Sequence, residues 1–199
     1  MPYAALAGYV VFAALAFGWR SWIHWQRTGS TGYRGLSGRP GSVEWWGGLL
    51  FAVAIVLTPL AALLQARGAL APLIEMRAST ALALGGALYL AGLAGTLWSQ
   101  LAMGASWRIG VDESERTTLV TRGPYGVVRN PIFTFMVLGL AGLAVLVPNA
   151  LSIAALAVLV AAIEIQVKAV EEPYLERAHG DDYRRYRAAT WRFVPGVGR

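Results

Sequence analysis

Gly123-Pro124-Tyr125-Gly126-Val127-Val128-Arg129-Asn130-Pro131-Ile132-Phe133 marks the place where a charged segment gives way to a long apolar run. Gly-Pro is a turn dipeptide, and Pro131 suits the first position of a helix, where its missing N–H would have no partner anyway. The stretch therefore reads as a tight turn followed by a helix entering a membrane, with Arg129 at its mouth. A lone charge at such a place is rare unless it binds something. Taken alone, the stretch leaves two readings of Arg129 open: a contact with lipid phosphate, or a ligand of a bound molecule.

The run after Pro131 is one of several. The chain has 199 residues, of which 56% are hydrophobic and 14% charged, close to half the charged fraction of an ordinary soluble domain. Uncharged stretches of about 17 residues or more recur, each long enough to cross the hydrocarbon core as a helix. The expected fold class is all-α: a polytopic membrane protein with five transmembrane helices and a cytoplasmic C-terminal amphipathic helix, in a single integral membrane domain over residues 1–199. The net charge of +6 is spread along the flanks of apolar spans, a pattern of membrane topology and lipid contact with no nucleic-acid partner. There is no cysteine, which excludes disulfides and thiolate chemistry. His24 and His179 lack ligand spacing, so no metal is expected.

Outward from the turn, the expected spans are Tyr3 to Ile23, Val43 to Ala66, Ser79 to Met103, Pro131 to Val147 and Ala150 to Val170. The first is read as a retained helix rather than a signal peptide, because Met1 to Phe17 has neither a basic start nor a small-residue cleavage pattern. It ends in Trp19, Trp22 and Trp25, an interfacial aromatic belt beside Arg20. Pro59 kinks the second span and leaves a carbonyl for a neighbour to satisfy. Gly92 and Gly95 in the third allow close approach of another backbone, and Gln100 is expected to face the interior. Pro148-Asn149 is a tight turn, making the last two spans a helical hairpin. The longest polar segment, Gly104 to Asn130, carries Asp112, Glu113, Glu115 and Arg116 among its charges.

Charge asymmetry sets the expected orientation. Fifteen of the 17 cationic residues, among them Arg20, Arg34, Arg116, Arg129, Lys168, Arg192 and Arg199, fall in the loops and tail of one side, against Arg67 and Arg77 on the other. The N-terminus is thus placed outside and the C-terminus in the cytoplasm.

The last span ends in Glu164, Lys168, Glu171, Glu172 and Pro173. Glu164 and Lys168 are an i,i+4 pair in the favourable order. That pairing does not account for the two adjacent carboxylates that follow, and Pro173 is expected to bend the helix. Beyond it, Tyr183 and Tyr186 share one face of a short helix after Gly180, surrounded by arginines. Such a helix suits an interfacial position, and Trp191, Phe193 and Pro195 point to an end that is packed down.

In order, Gly123-Pro124-Tyr125, Arg129-Asn130-Pro131, a helical hairpin, Glu171-Glu172, Leu175, Gly180, Tyr183, Tyr186 and Pro195 resemble the isoprenylcysteine carboxyl methyltransferase family in its prokaryotic form. Phospholipid methyltransferases are more distant relatives. The resemblance covers the second half of the chain, so that residues 1–103 supply three spans and 104–199 a cofactor-binding half. It implies S-adenosylmethionine at the cytoplasmic end of the hairpin, released as S-adenosylhomocysteine, and a lipophilic small-molecule acceptor entering from the bilayer. The acceptor is left open among carboxylates, thiols and lipid head groups.

Under that resemblance, Tyr125 and Phe133 offer aromatic faces to the sulfonium. Glu171 and Glu172 offer carboxylates to the ribose and amino group, or a base to an alcohol or amine acceptor. Arg129 offers a forked donor to the cofactor carboxylate. Asn130, with Pro131 beside it, serves adenine or a neighbouring turn. Leu119, Val120 and Thr121 lend backbone groups to the adenine edge, and Gly123 and Pro124 shape the turn. Gln100, Tyr183, Tyr186 and Arg192 are expected to meet the acceptor. Two departures are visible: Asn130 stands where the family more often has histidine, and Ala189 stands where eukaryotic prenylcysteine enzymes carry a basic residue, with Arg192 the nearest replacement. Two other expectations share the same spans. One is an NADPH-dependent reductase resembling the sterol type, and the other a non-catalytic membrane scaffold or transporter.

Overall fold

A computed structural model of the chain describes residues 1–33, 35–36, 38–108 and 118–198. Arg34, Asp112, Glu113, Glu115, Arg116 and Arg199 lie outside the described residues. The elements in chain order are α1 (Pro2–Ala13), a π-helical turn (Ala14–Trp19), α2 (Arg20–Thr28), α3 (Val43–Ala66), α4 (Ala78–Met103), α5 (Pro131–Leu146) and α6 (Ala150–Ile165). A second π-helical turn (Gln166–Glu171), α7 (Glu172–His179) and α8 (Asp181–Ala189) complete it.

Among the described residues, four stretches are long and apolar enough to cross a membrane: Pro2–Thr28, Val43–Ala66, Ala78–Ser106 and Ala150–His179. The expectation was five. The difference is α5, an apolar helix of 16 residues, which spans about 24 Å at 1.5 Å per residue. That is shorter than the ~30 Å hydrocarbon core of a typical bilayer. The chain is an integral membrane protein.

Local chemistry sets the helix ends and joints. The Ser42 hydroxyl accepts from Trp45 N at 3.2 Å and caps α3. Pro59 removes the N–H that would bond Ile55 O, and the Tyr9 hydroxyl donates to that carbonyl at 2.8 Å. Asn149 and Ser152 form a capping box at the start of α6.

The hairpin of α5 and α6 opens out, each helix packing more extensively on another partner. Helix α5 lies along α4, and α6 along α3. Glycine explains the first pairing. A Cβ on Gly92 would sit 2.2 Å from Gly139 N, and one on Gly142 would sit 2.6 Å from Gly85 O. Only backbone fits at those crossings. Gly95 meets something else, the ring of Phe135, so backbone contact belongs to Gly92 alone of the expected pair. The core between the helices is formed by Phe12, Leu93, Met136, Leu140, Leu159 and Ile163 with the small residues Ala16 and Ala54.

The two ends of the bundle differ. At one, Leu73 N donates to Pro148 O at 2.7 Å, and Asn149 Nδ2 donates to Ala61 O and Gln65 Oε1. The connection after α3 and the turn after α5 therefore meet. At the other end gather α2, the end of α4, the Gly-Pro-Tyr turn, α7, α8 and the C-terminal segment.

Candidate active site

The turn begins at Gly123, whose φ of +62° favours glycine, and continues as a single 3₁₀ turn over Gly123–Gly126 with Pro124 and Tyr125 buried. Past it, extended backbone pairs with the C-terminal segment in a short parallel bridge between Val128 and Trp191. Arg129 N donates to Trp191 O at 2.7 Å and Asn130 N to Arg192 O at 3.1 Å, while Trp191 N returns a bond to Val127 O at 3.3 Å. Asn130 Nδ2 also donates to Arg192 O, and the Thr134 hydroxyl to Phe193 O. Trp191, Arg192 and Phe193 are thus packed down and half-buried, as the aromatic pattern indicated for Trp191 and Phe193, whereas residues 194–198, including Pro195, are exposed.

This pairing aims the Arg129 side chain into the protein, where it is 2% exposed. Its Nη1 donates to Arg187 O at 2.9 Å and Thr190 O at 2.5 Å, carbonyls at the C-terminal end of α8. Its Nη2 donates to Gly198 O at 3.1 Å and Glu172 Oε1 at 3.2 Å. A cation at the last carbonyls of a helix is favourable for the same reason as a capping side chain. Arg192 completes the cluster with a fork onto the same carboxylate, Nε to Oε1 at 2.9 Å and Nη2 to Oε2 at 3.0 Å. That double contact holds the Arg192 pKa above its usual range.

Glu172 reaches this position because the helix before it changes pitch. Over Gln166–Glu171 the backbone adopts π geometry, and Glu172 N bonds Val167 O, five residues back. The wider turn makes room for Pro173, which would clash with an ordinary α turn at the preceding carbonyls. Pro173 was expected to bend the helix, and what the structure shows there is the π turn just upstream, in a helical stretch that runs on from Ala150 to His179. Glu164 and Lys168 pair at 2.6 Å on the exposed face.

Neighbouring carboxylates project about 100° apart on a helix, and here they meet different company. Glu172 is taken by Arg129 and Arg192. The charged neighbour opposing Glu171 is Arg108, and Glu171 also acts on Tyr125. Arg108 itself stacks over the Tyr174 ring at 4.9 Å.

The tyrosines are structural neighbours of the turn. The Tyr186 hydroxyl donates to Tyr125 O at 2.7 Å, and the Tyr125 hydroxyl donates to Ser99 O at 3.3 Å. Tyr183 is 1% exposed, its ring 6.2 Å from that of Tyr186. Burial pushes the Tyr186 phenol up to about 12 against the pull of Arg129, and raises those of Tyr183 and Tyr125 further. The short helix expected on the membrane surface is therefore pinned inward by its tyrosines. Phe133 packs against the central core. Leu119 and Val120 are half-buried and Thr121 is exposed, in irregular backbone.

A second polar cluster lies against the first. Gln100, 1% exposed, donates from Nε2 to Ala16 O at 2.9 Å. Beside it, Arg20 Nη2 donates to Gly104 O at 2.7 Å and Gln100 O at 3.4 Å, with the guanidinium 4.4 Å over the Trp107 ring. Arg20 is 1% exposed, while Trp19, Trp22 and Trp25 face outward. The three tryptophans of the expected belt are solvent- or lipid-accessible, and Arg20 beside them is turned inward. An arginine within an apolar span was the available signal, and the adjoining tryptophans masked it.

The structure thus brings Arg129, Glu172 and Arg192 into one ion-pair cluster, with Asn130 bonded to the Arg192 carbonyl, Tyr125, Tyr183 and Tyr186 packed beside it and Gln100 on the far side of Tyr125. No curated protein gives a significant match to the chain. The family profile for phospholipid methyltransferases matches residues 80–182, just over half of the chain, running from α4 to the start of α8 and including Gln100, Tyr125, Arg129, Glu171 and Glu172. The turn, the paired carboxylates and the helices that carry them all fall inside the matched segment, and the chain belongs to the phospholipid methyltransferase family.

Proposed function

We propose that the protein transfers a methyl group from S-adenosylmethionine to a small lipophilic acceptor (a carboxylate, a thiol or a lipid head group) at the cytoplasmic face of the membrane. Membership of a membrane methyltransferase family supports the reaction class. The observation that carries the cofactor assignment is the division between adjacent carboxylates. Glu172 is neutralised inside the protein by two arginines, while Glu171 is outside that ion-pair cluster, with Arg108 the cation nearest in influence and Tyr125 within its field.

The donor set fits a cationic nucleoside. Glu171 supplies a carboxylate for hydroxyl or ammonium groups, Tyr125 and Tyr174 supply aromatic faces, and Arg108 supplies a cation for a carboxylate. When bound, the cofactor supplies an activated methyl on a sulfonium. Arg129 and Arg192, by holding Glu172, keep the turn, α7 and the C-terminal segment in register around Glu171. Transfer to an anionic acceptor cancels charge, so a site that excludes water favours it. Glu171 is placed as the base where the acceptor carries a proton.

The NADPH reading is less well supported. It needs free cations for a 2′-phosphate, yet Arg184 pairs with Asp181 and Glu176, Arg185 with Asp182, and Arg187 with Glu176. A fifth crossing by α5 is supported by its connections, since Asn130 binds the C-terminal segment at one end and Pro148 meets the opposite loop. Local bilayer thinning accommodates a short helix. The concentration of cations at the Arg129 end supports a cytoplasmic position for that end.

Calorimetry in detergent tests the assignment. Wild type binds S-adenosylhomocysteine and gives no heat with NADPH. Glu171→Gln weakens S-adenosylhomocysteine at least about ten-fold, the loss of one charge-assisted contact, with little change in thermal midpoint. Wild type that binds only NADPH, or neither ligand, refutes the proposal.

A further inference from the structure

We infer that Arg20 forms the binding site for an anionic head group on the methyl acceptor, making it a specificity-determining residue contributed by the N-terminal half of the chain. The inference rests on the methyltransferase reading for the existence of an acceptor, and on Arg20 for the acceptor's charge. Arg20 lies within the first membrane span and is 1% exposed. Its Nη2 is held by two carbonyls, but Nε and Nη1 are buried and have no hydrogen-bond partner.

No carboxylate opposes this charge among the described residues. The charged or titratable groups that act on it are Arg27, which repels, and Tyr125, which belongs to the turn. A buried guanidinium with idle donors is costly, and intramembrane cations characteristically mark the path of an ion or substrate.

Its surroundings suit an anion carried on an aliphatic chain. Trp107 covers one face of the guanidinium. Gln100 Oε1 and Thr96 Oγ1, on the inner face of α4, are likewise buried without partners. The Thr96 hydroxyl can donate to an anion, whereas Gln100 Oε1 can only accept, from a donor on the same ligand. Ser99, between them, holds the Tyr125 hydroxyl, so the anion would lie one helical turn from the proposed cofactor site.

The backbone is shaped to deliver Arg20 inward. It follows the π-helical turn Ala14–Trp19, and its N–H reaches Leu15 O, five residues back. The pitch change leaves Ala16 O for Gln100 Nε2. Single π turns of this kind recur at functional sites.

The shared chemistry is one negative charge on an apolar tail, and the source is either a carboxylic acid or a phosphate ester. The test measures equilibrium binding of radiolabelled dodecanoate, dodecyl phosphate and the neutral methyl dodecanoate to protein in nanodiscs, with empty discs subtracted. At least one anion should bind ten-fold or more tighter than the ester, and the tighter of the two identifies the source. Arg20→Gln should abolish that preference while retaining S-adenosylhomocysteine binding by calorimetry, and Arg27→Gln should leave the preference intact. If Arg20→Gln loses S-adenosylhomocysteine binding, Arg20→Lys decides, with the anion weakened at least three-fold. Equal binding of anions and ester by wild type overturns the inference. So does a preference that survives Arg20→Gln, or one unchanged in Arg20→Lys. S-adenosylhomocysteine binding without anion preference defeats this inference alone, whereas absence of S-adenosylhomocysteine binding defeats the methyltransferase proposal.

Discussion

Glu172 and Arg20 are each the first residue after a six-residue π-helical turn, and each is buried at the same end of the bundle. Their surroundings are opposite. Glu172 is held by both Arg129 and Arg192, with its two oxygens taken, whereas Arg20 has carbonyl partners on one nitrogen only. The same backbone device therefore serves two ends: it closes a structural joint in one place and presents an unsatisfied charge in the other. Polar groups left idle inside a protein are where a ligand is to be sought, and groups already paired are where stability is to be sought.

Stability should separate the two sites most. Glu172→Gln strands the Arg129 guanidinium and should cost about 3–5 kcal/mol, read as the shift in denaturant or thermal unfolding of purified protein. Arg20→Gln loses bonds to two carbonyls but also relieves an unpaired charge, and should cost about 1–2 kcal/mol. Equal losses for the two would erase the distinction. A smaller effect tests the frame both sites share. Gly92→Ala drives a methyl into Gly139 N and should cost about 1–3 kcal/mol, while Gly86→Ala, with nothing within 4 Å of its added methyl, should stay within about 0.5 kcal/mol. Smaller again, Tyr186→Phe breaks the bond to Tyr125 O and should cost about 1 kcal/mol.

The pH dependence sharpens this last point. Burial raises the Tyr186 pKa from 10.0 to about 12 in the folded protein. The folded state thus holds the proton more tightly than the unfolded one. The associated stability is fully present below pH 10 and is lost as pH rises through about 12. Wild type should lose stability more steeply than Tyr186→Phe between those values. Identical slopes would show that the phenol is not buried as described.

Hydropathy made the long elements legible. Val43–Ala66 is bounded as expected, and α4 begins one residue earlier than its apolar run suggested. The meeting of the turn with Glu172 was legible too, because an ordered set of motifs constrains what must come together. The π turns were not, since nothing in Ala14–Trp19 or Gln166–Glu171 distinguishes five-residue from four-residue hydrogen bonding. Arg129 was read as a fork for a small-molecule carboxylate. It serves instead Arg187 O, Thr190 O and Gly198 O together with Glu172. Every residue owns a carbonyl, so carbonyl acceptors leave no trace in side-chain patterns. Arg20 was hidden for the converse reason, standing in the company of tryptophans that signal a membrane surface.

The acceptors of Arg129 at Arg187, Thr190 and Gly198 all follow α1 to α6 in chain order and leave the ribosome after them. Through insertion of α1 to α6, Arg129 must therefore wait without the segment that supplies those carbonyls. Assembly of this end thus follows synthesis of the bundle, completed only once Trp191 and Arg192 pair with the backbone after the Gly-Pro-Tyr turn.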